Sequence, residues 1–445
     1  MFFIVSIVKA QSLGILFMLI REIGKLMRFL AKLLPNAESK NIGYLIWAED
    51  LENPIIKSQV FELLKRVSNY LEKHIIYIIS LQPIKKVILN RYEFRELREE
   101  LERDNIHLLI IPIFYFRKKF MKDNWIQIPL IFFQALPIII FLSVTKRIRL
   151  LHCRSYPVVY PSIIVKKILK NKLIFDPRSP FPEENVAAGR WRSKAFTYKV
   201  WKYLERKSLG RADITIAISS TYVNHFRRIL ATSKLIEIPN NVDTTKFRMR
   251  TEFRERLRLK LGIEEDEIVF VYTGSLGINH WNSLKVYIKF IKEMRRINIK
   301  HKFLFITPNL TELMHVFNEY DITPCEYVCI SLDSEEVPLY LSCADFGLNL
   351  MDRPDIRVSI KTVEYFSMGL PIIVNSLGPL GAKKLVEDYN IGLIIDLDKF
   401  NLKELKAFIQ KKAKLSSKCR QIAHKKFSTE KVAKQYAKVY LSLLE

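Results

Sequence analysis

From residue 41 onward, short apolar runs rich in β-branched residues alternate with segments of helical length. Residues 43–47, 75–80, 107–113, 150–154, 173–176, 213–219 and 235–239 read as one series of strands. Residues 268–273, 303–307, 327–331, 346–351, 371–375 and 393–396 read as a second series. Neighbouring parallel strands need a crossover of a dozen or more residues, usually a helix. The rhythm therefore predicts parallel sheets covered by helices on both faces. The second series is regular enough to form its own doubly wound sheet, and 445 residues leave room for two domains. The predicted division is a segment at 1–34, a first domain at 40–240, a second at 241–428 and a terminal helix at 429–445.

Two stretches stand outside this rhythm. In residues 1–34, Leu16, Ile20, Ile23, Met27, Leu30 and Leu34 recur at helical spacing, with Arg21, Lys25, Arg28 and Lys32 opposite. That is the pattern of a basic amphipathic helix at a membrane interface. A helix packed on the protein itself fits the same spacing. Residues 128–144 form the most apolar run and approach membrane-spanning length, but contain Pro129 and Pro137. A core helix with a greasy outer side is predicted there, because a true span would break the first sheet.

The chain carries 72 Lys+Arg against 46 Asp+Glu, a net charge of +26. Such a chain seeks polyanions. No zinc finger, RNA-binding signature or Arg-rich tail is present, so nucleic acid is not the expected partner. Anionic lipid and nucleotide diphosphates fit better. The five cysteines, Cys153, Cys325, Cys329, Cys343 and Cys419, form no C-x-x-C pair. Free thiols and no metal site are expected.

The most informative stretch is 359–376, SIKTVEYFSMGLPIIVNS. Ser359 is placed to cap a helix through its side chain. Gly369 ends the helix in the left-handed conformation, Pro371 prevents re-entry, and Ile372, Ile373 and Val374 form a buried strand. Lys361 and Glu364 lie three apart on one face. A cation beside a helix N-terminus suits a diphosphate, and a carboxylate one turn on suits ribose hydroxyls. A surface ion pair is the plain alternative. Gly274-Ser275-Leu276-Gly277 follows a strand and suits close approach of backbone to phosphate, or an ordinary strand–helix turn.

The phrase K-x-x-E-Y-x-x-x-G-x-P, here Lys361, Glu364, Tyr365, Gly369 and Pro371, resembles the donor-nucleotide segment of the retaining family 4 glycosyltransferases. IPNNVDTTKF at 238–247 resembles that family's interdomain link, with Asn241 in place of glycine. VYTGSLG at 271–277 resembles its first nucleotide-domain strand and phosphate loop. The resemblance covers about residues 40–445. It implies a GT-B fold: α/β, two Rossmann-like doubly wound parallel-sheet domains facing a central cleft, with the terminal helix returning to the first domain.

The resemblance further implies transfer of a sugar, with retention, from a nucleotide diphosphate donor of UDP or GDP type to a hydroxyl acceptor. No metal and no cofactor are implied. It puts His152 near the donor sugar and, with Lys361 and Glu364, in the catalytic group. Gly274, Ser275, Gly277, Arg357, Lys361 and Glu364 are the expected donor-binding residues. Glu49, Asp176 and Arg178 are expected on the acceptor side, with Glu183 or Glu184 beside them, and Ser219 at a strand–helix turn. Two departures stand out. Ile356 replaces the first glutamate of the family's E-x7-E motif, leaving Asp352 or Asp355 to do its work. The loop cations are also missing, so Lys361 and Arg357 must face the phosphates. A lipid-linked acceptor in bacterial surface polysaccharide synthesis, at the inner face of a membrane bearing anionic lipid, is the expected setting. An epimerase of the same fold, or a non-catalytic membrane scaffold with a decayed donor site, are the alternatives.

Overall fold

The computed structural model describes residues 40–115, 127–232, 234–277 and 284–445. The amphipathic segment expected at 1–34 lies outside the described residues. Two parallel sheets carry the fold. The first holds β1 (Asn41–Trp47), β2 (Ile76–Pro83), β3 (Ile106–Ile113), β4 (Ile148–Arg154), β5 (Lys172–Asp176), β6 (Ile214–Ala217) and β7 (Leu235–Glu237), in the order β3-β2-β1-β4-β5-β6-β7. The second holds β8 (Ile268–Thr273), β9 (His301–Ile306), β10 (Tyr327–Ile330), β11 (Phe346–Asn349), β12 (Ile372–Asn375) and β13 (Gly392–Ile395), in the order β10-β9-β8-β11-β12-β13. Each order reverses once, between β1 and β4 and between β8 and β11. The crevice beyond the carboxyl ends of the strands at such a reversal is where open α/β sheets take ligands.

Alternation along β1 sends Leu45 and Trp47 to one core, and Ile42, Tyr44 and Ile46 to another. The helix Gln127–Thr145 covers the first core with Ile131, Ala135, Leu136 and Ile139. It is long and apolar enough to cross a membrane, yet it is built into the helical layer of the first sheet. The second core is closed by the terminal helix Thr429–Leu444, whose Val432, Ala433, Tyr436 and Tyr440 pack on the first sheet. The chain re-enters there through Val242, whose N–H donates to Phe427 O and whose carbonyl accepts from Thr429 N.

Several boundaries differ from the sequence reading. The proline-rich loop expected at 177–192 contains the short helix Phe181–Ala187, with proline in its first turn, where the missing N–H costs nothing. The helix expected at 193–208 runs from Phe196 to Arg211. Ser359 sits at the N-cap position but makes no side-chain cap. Its hydroxyl instead bonds Thr362 Oγ1 at 2.9 Å. Gly369 does end the helix, at φ +76°.

Candidate active site

The site grows from the second sheet's reversal. β8 ends at Thr273, and Gly274 follows at φ +116°, a conformation costly to any residue with a Cβ. Gly274 and Ser275 are exposed, while Gly277 is buried. The helix Ile360–Met368 follows β11 and presents Lys361 and Glu364. Tyr365 anchors it: its hydroxyl accepts from Thr273 N–H at 2.9 Å, and its ring leaves room only for glycine at Gly347.

Lys361 and Glu364 do not form an ion pair at the surface. The Lys361 Nζ lies 3.9 Å from the centre of the Tyr272 ring, directly behind the Gly274 turn, out of solvent contact and with no hydrogen-bond partner among the described residues. Burial drives its pKa down to about 7, against the upward pull of Glu364 and Asp355. Burial likewise raises Glu364 to about 7, against Lys361 and Lys246. An ammonium buried behind a glycine turn without a hydrogen-bond partner is costly, and an anion at the turn would offset that cost. Its cation–π contact with Tyr272 holds it in place meanwhile.

Glu364 opens on a cavity of about 450 Å³ between the two sheets. Thr273, Ser334, Glu335, Val337 and Ile360 line it from the second domain; Pro54, Ile55 and Ser58 face them from the first. The linker residues Asn241 and Asp243 close one side. This is nucleoside-sized space with a carboxylate at its wall.

The first sheet's reversal carries a different arrangement. Glu49, just beyond β1, accepts from Arg154 Nε at 3.1 and 3.0 Å across the gap between β1 and β4. The Arg154 Nη1 is buried without a partner. Three residues other than glycine have positive φ just beyond these strands: Ala48, Ser155 and Arg178. Backbone strain of this kind persists where surrounding structure over-determines it, and it gathers at functional sites.

Three expected site residues lie apart from the cavity, two of them by burial and Arg178 by its pairing. His152 is fully buried beneath the terminal helix, not in the cleft. Its Nε2 meets Asp176 Oδ2 at 3.2 Å, its Nδ1 meets Tyr440 OH at 2.7 Å, and its ring packs on Tyr44 at 4.4 Å. With both nitrogens engaged it is a structural group, and burial lowers its pKa. Asp176 is also fully buried. Burial alone would raise its carboxyl, but Arg178, His152 and Arg154 outweigh that and hold it at about 2. Arg178 reaches Asp176 at 3.5 Å and donates from Nη2 to Asn240 Oδ1 at 2.6 Å, so it ties β5 to the linker rather than facing an acceptor. Alternation explains the two strand residues. His152 and Asp176 lie on the sheet face that the terminal helix covers, which one strand's pattern cannot reveal.

Arg357 is corrected as well. Its guanidinium grips Asp355 through Nε at 2.9 Å and Nη2 at 3.0 Å, and lies 3.7 Å from Glu184 of the first domain. It bridges the lobes and is not free for phosphate. Asp352 is paired with Arg353 at 3.1 Å. The stretch around Ile356 is a contact between the lobes: the Ile356 carbonyl accepts from Ser219 Oγ at 2.7 Å and from Thr221 Oγ1. Its side chain packs against the first domain's core. Ser219 also caps the helix Ser220–Ile229, accepting from Tyr222 N–H. Glu183 pairs with Lys202 at 2.7 Å.

Solved structures match this architecture along nearly the whole chain. A glycosyltransferase from Rickettsia africae aligns with a TM-score of 0.65 at 14% identity, covering 92% of this chain and 100% of its own. The fold is GT-B. HepE from Anabaena, solved in complex with UDP and glucose, aligns with a TM-score of 0.61 at 15% identity, over 91% and 100% of the two chains. WaaG, a glycosyltransferase involved in lipopolysaccharide biosynthesis, aligns with a TM-score of 0.57 at 10% identity, over 89% and 99%. No protein-family model and no curated protein matches the sequence. In this GT-B frame, Lys361, Glu364 and the Gly274 turn come together at one end of the cleft, whereas His152, Asp176 and Arg178 form a separate buried network. Arg154, which ends β4 at the reversal of the sheet, belongs with the strand-end residues that such sheets place at their ligand crevice.

Proposed function

We propose that this chain is a glycosyltransferase of group 1, family 4-like, that takes a nucleotide diphosphate sugar and passes the sugar to a hydroxyl acceptor with retention. One observation carries the reading: a desolvated, unpartnered Lys361 ammonium behind the Gly274 turn, beside a Glu364 carboxylate that opens on the cleft. The diphosphate sits at the Gly274–Ser275 turn, and its charge is met by Lys361. Glu364 accepts from the ribose hydroxyls, and the base occupies the cavity toward Ser334 and Val337.

Departure of the diphosphate leaves positive charge on the sugar. Fixed cations and backbone dipoles stabilise the leaving group without reorganising, so the protein's own groups suffice and no divalent metal is called for. The acceptor hydroxyl attacks from the side the leaving group vacates: its oxygen bonds the anomeric carbon as the bond to the diphosphate oxygen breaks, and its proton passes to the departing diphosphate. Glu49, just beyond β1 and held in place by Arg154, is the group we assign to orienting an acceptor there. A lipid-linked glycan of surface polysaccharide synthesis suits the basic surface.

UDP and GDP titrated calorimetrically test the reading, with Lys361→Ala and Glu364→Ala as controls. Binding of one nucleotide, lost at least tenfold in each variant, supports it; equal binding in all three proteins overturns it. A panel of nucleotide sugars incubated with membrane extract then reports the transferred sugar. A second reading, a non-catalytic relative, is favoured by Ile356, which anchors the lobes where the family has an acid. It predicts no nucleotide binding that depends on Lys361 and Glu364, and no transfer to any acceptor.

A further inference from the structure

The helices on one side of the first sheet present an outer face that the proposed chemistry does not use. Gln127–Thr145, Val159–Leu169 and Phe196–Arg211 pack side by side on the same core, so their exposed sides share one surface. On the first helix, Pro129, Phe133, Pro137 and Phe141 recur every four residues and are all exposed; Phe133 and Phe141 are each 59% accessible. Residues four apart form a continuous ridge along a helix, and an apolar ridge of this size on a soluble face marks a contact surface. On the third helix, Phe196, Lys199, Tyr203, Arg206 and Lys207 form an exposed stripe of aromatic and basic groups, with Phe196 65% and Tyr203 58% accessible.

Charge on this part of the chain is one-sided. Between residues 127 and 232 every fully exposed charged side chain is Lys or Arg. The carboxylates in that span, Asp176, Glu183, Glu184, Glu205 and Asp213, are all buried or partly buried, and each is paired with a cation.

We infer that this face docks on a lipid bilayer containing anionic headgroups. The apolar ridge enters the interface, the aromatic rings sit at headgroup depth, and the surrounding cations meet anionic lipid, whose attraction adds up residue by residue. Nucleic acid would use the cations but leave the ridge wet. The chain's own residues 1–39 could cover the ridge instead, but they carry more Lys and Arg than Asp and Glu, like the face itself. They also join the described protein beside the foot of the first helix, where Asn41 N–H donates to Arg147 O. Residues 116–126, which carry Arg117, Lys118, Lys119 and Lys122, join its head. Both attachments are net basic in sequence, as the face itself is. The inference does not rest on sugar transfer, because it is read without nucleotide.

The test is flotation of the full chain with vesicles of phosphatidylcholine alone or with one third phosphatidylglycerol. The wild type is expected to float with the anionic vesicles, and at least tenfold less with neutral ones or in half-molar salt. Phe133→Asp/Phe141→Asp and, separately, Lys199→Glu/Arg206→Glu/Lys207→Glu should each lower bound protein at least tenfold, with melting temperatures unchanged because these side chains are exposed. If the first variant fails to fold, Phe133→Ser and Phe196→Asp/Tyr203→Asp replace it. A wild type that stays with the soluble fraction overturns the inference. So does folded variant protein that floats like wild type, an outcome that would assign membrane contact to residues 1–39.

Discussion

If Lys361 meets the diphosphate, nucleotide binding must be coupled to proton uptake. Burial holds the amine at about 7 in the free protein, against an ordinary value of 10.5. That difference corresponds to roughly 5 kcal/mol against the charged form. A single negative charge about 4 Å away, at an effective dielectric near 20, returns roughly 4 kcal/mol. A bound diphosphate therefore restores the ammonium over the accessible pH range. Lys361 takes up about half a proton per nucleotide at pH 7, offset by the proton that Glu364 gives up on bonding the ribose, and about nine tenths at pH 8, where Glu364 is already largely ionised. The dissociation constant for UDP should therefore rise about 20-fold between pH 7 and pH 9, as a neutral amine must find its proton in ever scarcer supply. The second phosphate ionisation, near pH 6, is about nine tenths complete at pH 7 and adds little within this window. Calorimetry in two buffers of different ionisation enthalpy, at pH 7, 8 and 9, reads both quantities, and Lys361→Met should flatten both. A wild type that binds UDP with constant affinity and buffer-independent heat over this range would refute the assignment of Lys361 to the phosphates.

The same pair sets the pH dependence of stability. A lysine with a depressed pKa binds fewer protons folded than unfolded between about 7 and 10.5, so its penalty is full below 7 and is relieved as pH rises through that window. Lys361→Met is therefore expected to raise the midpoint of urea unfolding at pH 7, by about 1–3 kcal/mol, while weakening UDP. Glu364, raised to about 7, favours the folded state at low pH and loses that as pH climbs from 4.5 to 7; Glu364→Gln should stabilise the protein at pH 8 and cost UDP affinity at least tenfold. Asp176→Asn strips Arg178 and His152 of their buried partner and should cost about 3–5 kcal/mol in the same denaturation assay. Ile356→Glu, which would complete an E-x7-E pair with Glu364, should destabilise the fold by about 1–3 kcal/mol because the side chain faces the first domain's core; a gain in UDP affinity would contradict this. Gly347→Ala would bring a Cβ to 2.3 Å from the Tyr365 ring, and calorimetric melting should show a loss of about 2 kcal/mol or more.

The two sheets were legible because a parallel strand buried on both faces must be a short, continuous apolar run, and β8 matches its predicted span residue for residue. The helix carrying Lys361 and Glu364 was legible for a local reason too: Gly369 and Pro371 mark its end whatever surrounds it. Depth was not legible. His152 and Asp176 end strands just as active-site residues do, and only the return of Thr429–Leu444 across the sheet shuts them away from solvent. Arg357 and Ile356 likewise stand where donor contacts are expected. Their partners, Glu184, Ser219 and Thr221, lie more than 130 residues away on the other lobe. Side-chain chemistry and backbone punctuation are properties of neighbours along the chain. Burial and pairing come from residues distant in sequence: Lys361 meets Tyr272 and the Gly274 turn only once its own lobe has folded, and Arg357 and Ile356 find their partners only once both lobes have met.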